Sequence, residues 1–270
     1  MRPTGLARRG GRWVGYLGAS SEPVIAAISR GAKIRSIFSY AHKLTVVMVA
    51  QENIRRPADL RGKNLGIQEV GAFREVMTRA VLQSAGLTAQ DVNYVPVSSA
   101  GYIAALTTNK IDTAILHIDQ AHMARTKKTS LHTFGPLWEV MPSYWYGTFS
   151  TTEDLLRKDP DLLGRAVGAL MRAHRFMYRN KDRTLELASK NTGYPKEVLG
   201  PAYDALAAAR VWPVNDGMPP EMVDVTINKL LEIGLLKENE KPKVDQVVDR
   251  KPATAALAKL GRWTDDPGWK

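Results

Sequence analysis

The sequence predicts an α/β fold in which strands alternate with helices and a helical portion follows. Up to about residue 150, runs rich in β-branched and aromatic residues are separated by segments with helical periodicity. After residue 150 the pattern is almost entirely helical. At roughly 150 residues per domain, a length of 270 residues fits one large or two small domains. Repeated strand–helix–strand order is typical of parallel-rich sheets with right-handed crossovers.

The predicted strands are short apolar runs bounded by turn-forming or polar residues. In chain order they are Trp13–Leu17, Ile34–Ser39, Leu44–Ala50, Asn64–Ile67, Asn93–Val97, Thr113–His117 and Tyr144–Phe149.

Helical periodicity lies between several of these strands. The segment Phe73–Ser84 carries apolar residues on one face, and Gly86 follows it where a helix is expected to end. A second helix is predicted over Ser98–Thr108, with Ser98 or Ser99 as its N-cap.

The second half of the chain reads as a series of amphipathic helices. Ser150 with Glu153 fits a capping box, and Asp159-Pro160 opens a long helix that runs through Phe176. Four further helices are predicted at Lys181–Lys190, Lys196–Ala209, Pro220–Ile233 and Ala253–Leu260.

The composition excludes several classes of protein. Lysine and arginine outnumber aspartate and glutamate by 38 to 27, but the basic clusters are not interleaved with the stacking aromatics of a single-strand binding platform. We therefore expect solvated charge and no nucleic-acid partner. The longest apolar run, Val46–Ala50, is far shorter than the roughly 20 residues that span a bilayer.

No catalytic or metal motif stands out. The chain has no cysteine, no G-x-S-x-G, no phosphate-loop lysine motif and no dinucleotide G-x-G-x-x-G. His117 and His122 are five residues apart, which does not place both on one helical face. We expect no catalytic residue, no cofactor and no bound metal.

Two stretches resemble a known family. Val14–Pro23 resembles the first recognition loop of periplasmic solute-binding proteins of ABC importers, in the branch that handles nitrate, taurine, alkanesulfonates and thiamine-pyrimidine precursors. Pro57–Ile67 resembles the turn and following strand of that branch. Weaker matches continue in the family's order at Ala85-Gly86-Leu87, Asp91-Val92, Ala104-Ala105-Leu106, Ile111-Asp112-Thr113-Ala114, Val248-Asp249 and Ala256-Leu257.

The resemblance implies a two-lobed type II periplasmic binding protein fold. One lobe would comprise residues 1–61 and 141–270, and the other residues 62–140. A small anionic or aromatic, heterocyclic solute would be captured between the lobes by hinge closure, and the permease subunits of an ABC importer would be the membrane partner. A monomer and a periplasmic location are expected from the family.

The sequence departs from the family at two places. No signal peptide and no leading strand–helix unit precede the Val14–Leu17 strand, so we expect the natural start to lie upstream of Met1. The loop after Ile67 reads Gln68 to Arg74, where the family often has a small hydroxyl residue, which weakens any transfer of sulfonate or nitrate chemistry.

Ligands of such sheets lie at the carboxyl ends of strands, where helix N-termini offer free N–H groups. Candidate helix starts are Ser20-Ser21-Glu22, Gly71-Ala72-Phe73 and Asp119-Gln120. The predicted ligand-binding residues are Ala19, Ser20, Ser21, Glu22, Gln68, Val70, Gly71, Ala72, Phe73, Arg74, His117, Asp119 and Tyr144.

Two of these positions carry open alternatives. Arg74 lies in a first helical turn, where a cation opposes the helix dipole, so it either pairs with an anion or a carboxylate such as Glu22, or is an exposed, solvated arginine. Tyr144-Trp145-Tyr146 would alternate along a strand and either line the cleft or pack in a core or hinge.

Two rival functions are weighed against solute binding. An enzyme on the same fold, of the thiamine-pyrimidine or menaquinone-precursor type, is one, although the cysteine-rich iron motif of the former is absent. A nucleic-acid or ligand-sensing regulator is the other, and it lacks an attached helix-turn-helix segment.

Overall fold

The structure is a computed structural model that describes residues 17–264, together with the backbone of residues 8–9, 12–13 and 16. Residues 14–15 of the predicted strand Trp13–Leu17, and most of the basic N-terminal segment, lie outside this description.

The strands of the described residues are short, and they lie in the first 152 residues. In chain order they are β1 (Arg8–Arg9), β2 (Arg12–Trp13), β3 (Tyr16–Ser20), β4 (Ile34–Ala41), β5 (Val46–Ala50), β6 (Asn64–Ile67), β7 (Asn93–Pro96), β8 (Thr113–His117), β9 (His132–Pro136) and β10 (Gly147–Thr152).

The helices alternate with these strands and then continue alone. They are α1 (Ser21–Ser29), α2 (Phe73–Gln83), α3 (Tyr102–Thr107), α4 (Ile118–Lys127), α5 (Leu137–Val140), α6 (Glu153–Lys158), α7 (Pro160–Arg179), α8 (Lys181–Thr192), α9 (Lys196–Ala208), α10 (Pro220–Glu232), α11 (Val244–Val247) and α12 (Lys251–Leu260).

The chain divides into two compact units. Unit 1 comprises Met1–Leu44, Ser143–Thr184 and Ala207–Lys270, and unit 2 comprises Thr45–Pro142 and Leu185–Leu206. This division differs from the predicted lobes in two ways. The first boundary follows residue 44 rather than residue 61, and residues 185–206 group with unit 2 instead of with the remainder of the helical portion.

Unit 1 is built on an antiparallel sheet of β3, β10 and β4, in that order. Ile37 and Phe38 of β4 are fully buried against α7 and α12. The apolar stripe of α7 and the small residues of α12 allow both helices to cover one face of the sheet. The side chains that complete this core are Leu163, Val167, Met171, Ala253 and Ala256.

Unit 2 contains a five-stranded sheet in the order β7, β6, β8, β5, β9. Strand β6 pairs in parallel with β7 and β8, while β5 pairs antiparallel with β8 and β9. Every residue of β5 is buried, as its uninterrupted apolar sequence Val46–Ala50 leads one to expect. The sheet of unit 2 is therefore mixed and that of unit 1 is antiparallel, whereas parallel-rich sheets were predicted.

Three local predictions are wrong. Strand β9 was not predicted, because Gly135 and Pro136 break the alternating pattern that marks a strand. Residues 144–146 precede β10 instead of forming its start, so the predicted strand is displaced toward the C-terminus. The predicted helix over 98–108 begins only at Tyr102, with Gly101 as its N-cap.

Helix starts in the second half follow the sequence more closely. Asp159 caps α7, and its Oδ1 accepts from the Leu162 N–H at 2.9 Å. The capping box at Ser150 does not form, because Ser150 lies within β10 and its hydroxyl is 3.2 Å from that of Ser36. Thr152 caps α6 instead. Within residues 17–264, no helix combines the length and the apolar character that a membrane span needs.

Candidate functional site

Three helices begin directly or shortly after strands whose carboxyl ends were predicted to carry the site. Helix α1 begins at Ser21 after β3, α4 begins at Ile118 after β8, and α2 begins at Phe73 after the loop that follows β6. The first N-terminus belongs to unit 1, and the other two belong to unit 2. The N–H groups of a first helical turn have no partner within their own helix, which is the feature that makes such positions suitable for ligands.

In unit 1 the first turn of α1 is fixed to the segment before β10. The Ser21 N–H donates to the Tyr146 carbonyl at 2.7 Å, and the Ser21 hydroxyl donates to the Trp145 carbonyl at 2.7 Å. The Tyr144 hydroxyl donates to Glu22 Oε1 at 2.5 Å. The structure thus brings Ser20, Ser21, Glu22 and Tyr144 together, and gives the Glu22 carboxyl a tyrosine partner.

Glu22 is an unusual group for a first helical turn because it is 3% exposed. Its Oε2 is buried without a hydrogen-bond partner among the described residues. Burial raises the pKa of Glu22, and the hydroxyls of Tyr144 and Ser20 offset part of that effect. The carboxyl is therefore easier to protonate than an exposed glutamate.

Two further tyrosines that the sequence analysis did not select as ligand contacts lie beside this carboxyl. The Tyr40 and Tyr146 rings meet edge to face with centroids 5.9 Å apart. Burial, together with the charge of Glu22, raises the pKa of Tyr40 to about 12. Gly147 admits the Tyr40 ring, since a Cβ at that position would overlap it. Tyr40 comes from β4, which no local sequence signal links to α1.

In unit 2 the loop before α2 is held by a buried carboxylate. Gly71 has φ +82°, a left-handed conformation that glycine adopts without strain. Its N–H donates to Glu75 Oε2 at 3.0 Å, and Glu75 Oε1 accepts from Arg79 Nε at 2.5 Å. Glu75 is fully buried, so this ion pair fixes the approach of the loop to the helix.

Arg74 is buried, with 5% exposure, which contradicts its interpretation as a solvated surface arginine. Its guanidinium donates to the Ile115 carbonyl and, at 3.0 Å, to Gln120 Oε1. The same group lies 4.5 Å above the Tyr102 ring centroid. Arg74 thereby ties α2 to β8, α4 and α3, while the carboxylate suggested as its partner, Glu22, is bonded to Tyr144.

The rings of Phe73 and His117 form a stacked pair next to this arginine. Their centroids are 6.4 Å apart and their planes are inclined by 20°. His117 Nδ1 lies 2.9 Å from Thr45 Oγ1. Burial, together with the charge of Arg74, lowers the pKa of His117 to about 4, so the imidazole is neutral at pH 7.

The other predicted residues of unit 2 lie at the same edge of its sheet. Gln68 is exposed and its amide donates to Ser99 Oγ at 2.7 Å, while Val70 is 65% exposed. Asp119 is half-buried in the first turn of α4. Burial raises the pKa of Tyr194, and the Asp119 charge adds to that rise. Burial lowers the pKa of His122, and the Asp119 charge offsets part of that effect. Tyr194, from the loop between α8 and α9, was not predicted because it is distant in sequence.

The aromatic triplet Tyr144-Trp145-Tyr146 is buried along its whole length. The Trp145 N–H donates to Thr226 Oγ1 at 2.7 Å, which anchors the triplet to α10. This agrees with the core-packing alternative for Trp145. Tyr144 and Tyr146 instead contact α1, through Glu22 and Ser21 respectively. Among residues 17–264 no cluster of three histidine or acidic side chains is arranged to hold a metal ion.

Comparison with known proteins gives the same fold. The periplasmic sulfonate-binding protein SsuA of Methylobacillus flagellatus KT superposes with a TM-score of 0.71 at 17% identity, covering 92% of this chain and 76% of that one. The desulfurization enzyme DSZB superposes with a TM-score of 0.69 at 16% identity, covering 94% of this chain and 90% of that one. This chain thus has the fold of periplasmic binding proteins, and an enzyme shares it.

The sequence relatives match a smaller share of this chain than the solved structures do. A Brucella abortus (strain 2308) protein that is named as a binding protein is 23% identical over 177 residues, which is 65% of this chain. The chain spans about half of that relative, since the match covers 54% of its length. The family model described as NMT1/THI5 like matches residues 16–184, which is more than half of the chain. This chain therefore belongs to the NMT1/THI5-like family.

Proposed function

We propose that this protein is the solute-binding component of an ABC import system, and that it binds a small solute without transforming it. The observation that carries the proposal is that helix N-termini and polar side chains follow strand ends within each unit, in a chain that has the fold of binding proteins. Membership of the NMT1/THI5-like family and the Brucella binding protein support the same function. Its partners would be importer permease subunits, and its location the periplasm, as for SsuA.

In unit 2, the proposed ligand contacts lie around the stacked rings of Phe73 and His117. Phe73 is half-buried at the first residue of α2, so a ring-bearing ligand has an aromatic surface beside the N-terminus of that helix. The neutral His117 adds a hydrogen-bonding nitrogen without adding charge. Arg74 is committed to Ile115 and Gln120, and it acts here as a positioning residue that holds α2 and α4 together.

The fold likeness to DSZB keeps an enzyme as the second candidate. The chain has no cysteine, so a thiol nucleophile or an iron site built on cysteines is not available. The buried carboxyl of Glu22 and the neutral imidazole of His117 are the groups with shifted pKa values that an enzyme would have to use. Turnover of a bound solute, followed by mass spectrometry, separates this candidate from pure binding.

Isothermal titration and thermal shift with a ligand panel test the proposal. The panel contains nitrate, ethanesulfonate, taurine, 4-aminopyrimidine and pyrimidine. A ligand present at a hundredfold excess over its Kd should stabilise the chain by about 2.7 kcal/mol, and raise Tm by about 5 °C or more. If every compound gives neither heat nor a shift in Tm, the proposal is wrong.

Paired variants then locate the contacts. Phe73→Ala should weaken binding of a ring-bearing ligand about tenfold or more, because an aromatic stacking surface is lost. Phe176→Ala is the matched control, since Phe176 lies on α7 with 41% exposure, outside the candidate site. Equal affinities for the two variants would remove Phe73 from the binding site.

A further inference from the structure

We propose that Glu22 determines specificity by accepting a hydrogen bond from an amino or ammonium group of the ligand, so that the solute is amine-bearing. This inference rests on the proposed binding function and names the chemical class of the solute. It starts from the buried carboxylate oxygen Oε2, which has no donor in hydrogen-bonding geometry among the described residues, while Oε1 is bonded to Tyr144.

An unsatisfied buried oxygen is uncommon in a folded protein. Buried polar groups are nearly always hydrogen-bonded, and an exception calls for a ligand, a water molecule or a functional role. Glu22 is 3% exposed, so bulk water does not donate a hydrogen bond to its Oε2. An oxygen that the protein leaves without a donor, at the N-terminus of α1 where the predicted ligand residues gather, favours a donor that arrives with the solute.

The two donors of Ser21 in the same helical turn are already in use. Ser21 gives its N–H to the Tyr146 carbonyl and its hydroxyl to the Trp145 carbonyl. An anionic oxygen would therefore find these two groups occupied, and it would meet the Glu22 carboxyl as a like charge or as a second acceptor. A nitrogen-bonded hydrogen, in contrast, complements Oε2 directly.

The burial of the Glu22 carboxyl favours the same chemistry. Burial raises the pKa of Glu22, so without a partner the carboxyl favours its protonated form, and a cationic donor restores the carboxylate.

Two matched ligand pairs test the inference. Taurine and ethanesulfonate differ by one amino group, as do 4-aminopyrimidine and pyrimidine. The amine-bearing member of at least one pair should bind about ten to a hundred times more tightly, the range expected of a hydrogen bond to a charged group. Glu22→Gln should abolish that preference, because the amide offers its own N–H groups where the carboxylate offered only acceptors.

Control variants separate specificity from folding. Glu153→Gln makes the same change at the partner of Arg35 in the first turn of α6, and should leave the preference intact. Tyr144→Phe keeps the Glu22 carboxyl while removing its tyrosine donor, and should retain the preference for amines. Circular dichroism checks that each variant is folded.

The outcomes distinguish this inference from the proposed function. Equal affinity within both pairs, a preference that survives Glu22→Gln, or binding by the donor-free anions alone overturns the role of Glu22 and leaves solute binding in place. A water molecule held permanently at Oε2 would give the first of these results. Failure of all compounds, including nitrate, overturns both.

Discussion

The close approach of Tyr40 to Gly147 gives a quantitative prediction for Gly147→Ala. A Cβ added at Gly147 would lie 2.8 Å from Tyr40 Cδ2 and overlap the neighbouring ring carbons, whereas ordinary contact begins at 3.4 Å. The ring must retreat by at least about 0.6 Å, from a position where it packs against Tyr146 and Phe149. Overpacking of this kind costs about 1–3 kcal/mol.

The assay is thermal unfolding followed by circular dichroism. At about 2–4 °C per kcal/mol, Gly147→Ala should lower Tm by roughly 2–12 °C. Gly164→Ala is the matched control, because the added Cβ meets the Ala255 Cβ at an ordinary 3.5 Å and α7 should gain up to about 1 kcal/mol from alanine. A Gly147→Ala protein that melts at or above the wild-type temperature would refute the reasoning, because the ring could then not be held as described.

Three more variants or conditions should shift stability measurably. Thr226→Val keeps side-chain volume but leaves the Trp145 N–H without its acceptor, and should cost about 1–3 kcal/mol in urea unfolding. Arg74→Met should cost about 2–4 kcal/mol by leaving a buried carbonyl and an amide oxygen unpaired, whereas a cost below 1 kcal/mol would contradict its positioning role. Burial lowers the pKa of His174 to about 4 from an ordinary value of 6.5. Between these values the unfolded chain binds a proton at this residue that the folded chain does not, so His174 should contribute a loss of about 1.4 kcal/mol of stability per pH unit as pH falls. Burial also lowers the pKa of His117 and His42, so His174→Gln should reduce the slope by its own share and leave the rest.

The sequence predicted the helix starts better than it predicted the partners of their side chains. Ser21, Phe73 and Ile118 begin helices at or next to the expected positions, because strand ends and the glycine at 71 are local signals. Long-range contacts carry no such signal. The bond from Tyr144 to Glu22 joins residues 122 apart, and pattern alone could not find it.

Arg74 shows why the burial of a charged side chain could not be predicted from the sequence. A cation in a first helical turn is expected to be exposed when only its own helix is considered. In the folded chain, the carbonyl of Ile115 and the Gln120 amide accept its hydrogen bonds, and Tyr102 supplies an aromatic face. These groups come from three separate elements, so the favourable environment exists only after unit 2 has assembled.

The interleaved order of the two units has a consequence for synthesis on the ribosome. The chain passes from one unit to the other after residues 44, 142, 184 and 206. Ile37 and Phe38 must therefore wait for Ala253 and Ala256 before their core closes, whereas the five strands of unit 2 are complete by residue 136. Apolar surface on β4 stays uncovered until nearly the whole polypeptide has emerged, and during that interval it is a natural substrate for a holding chaperone.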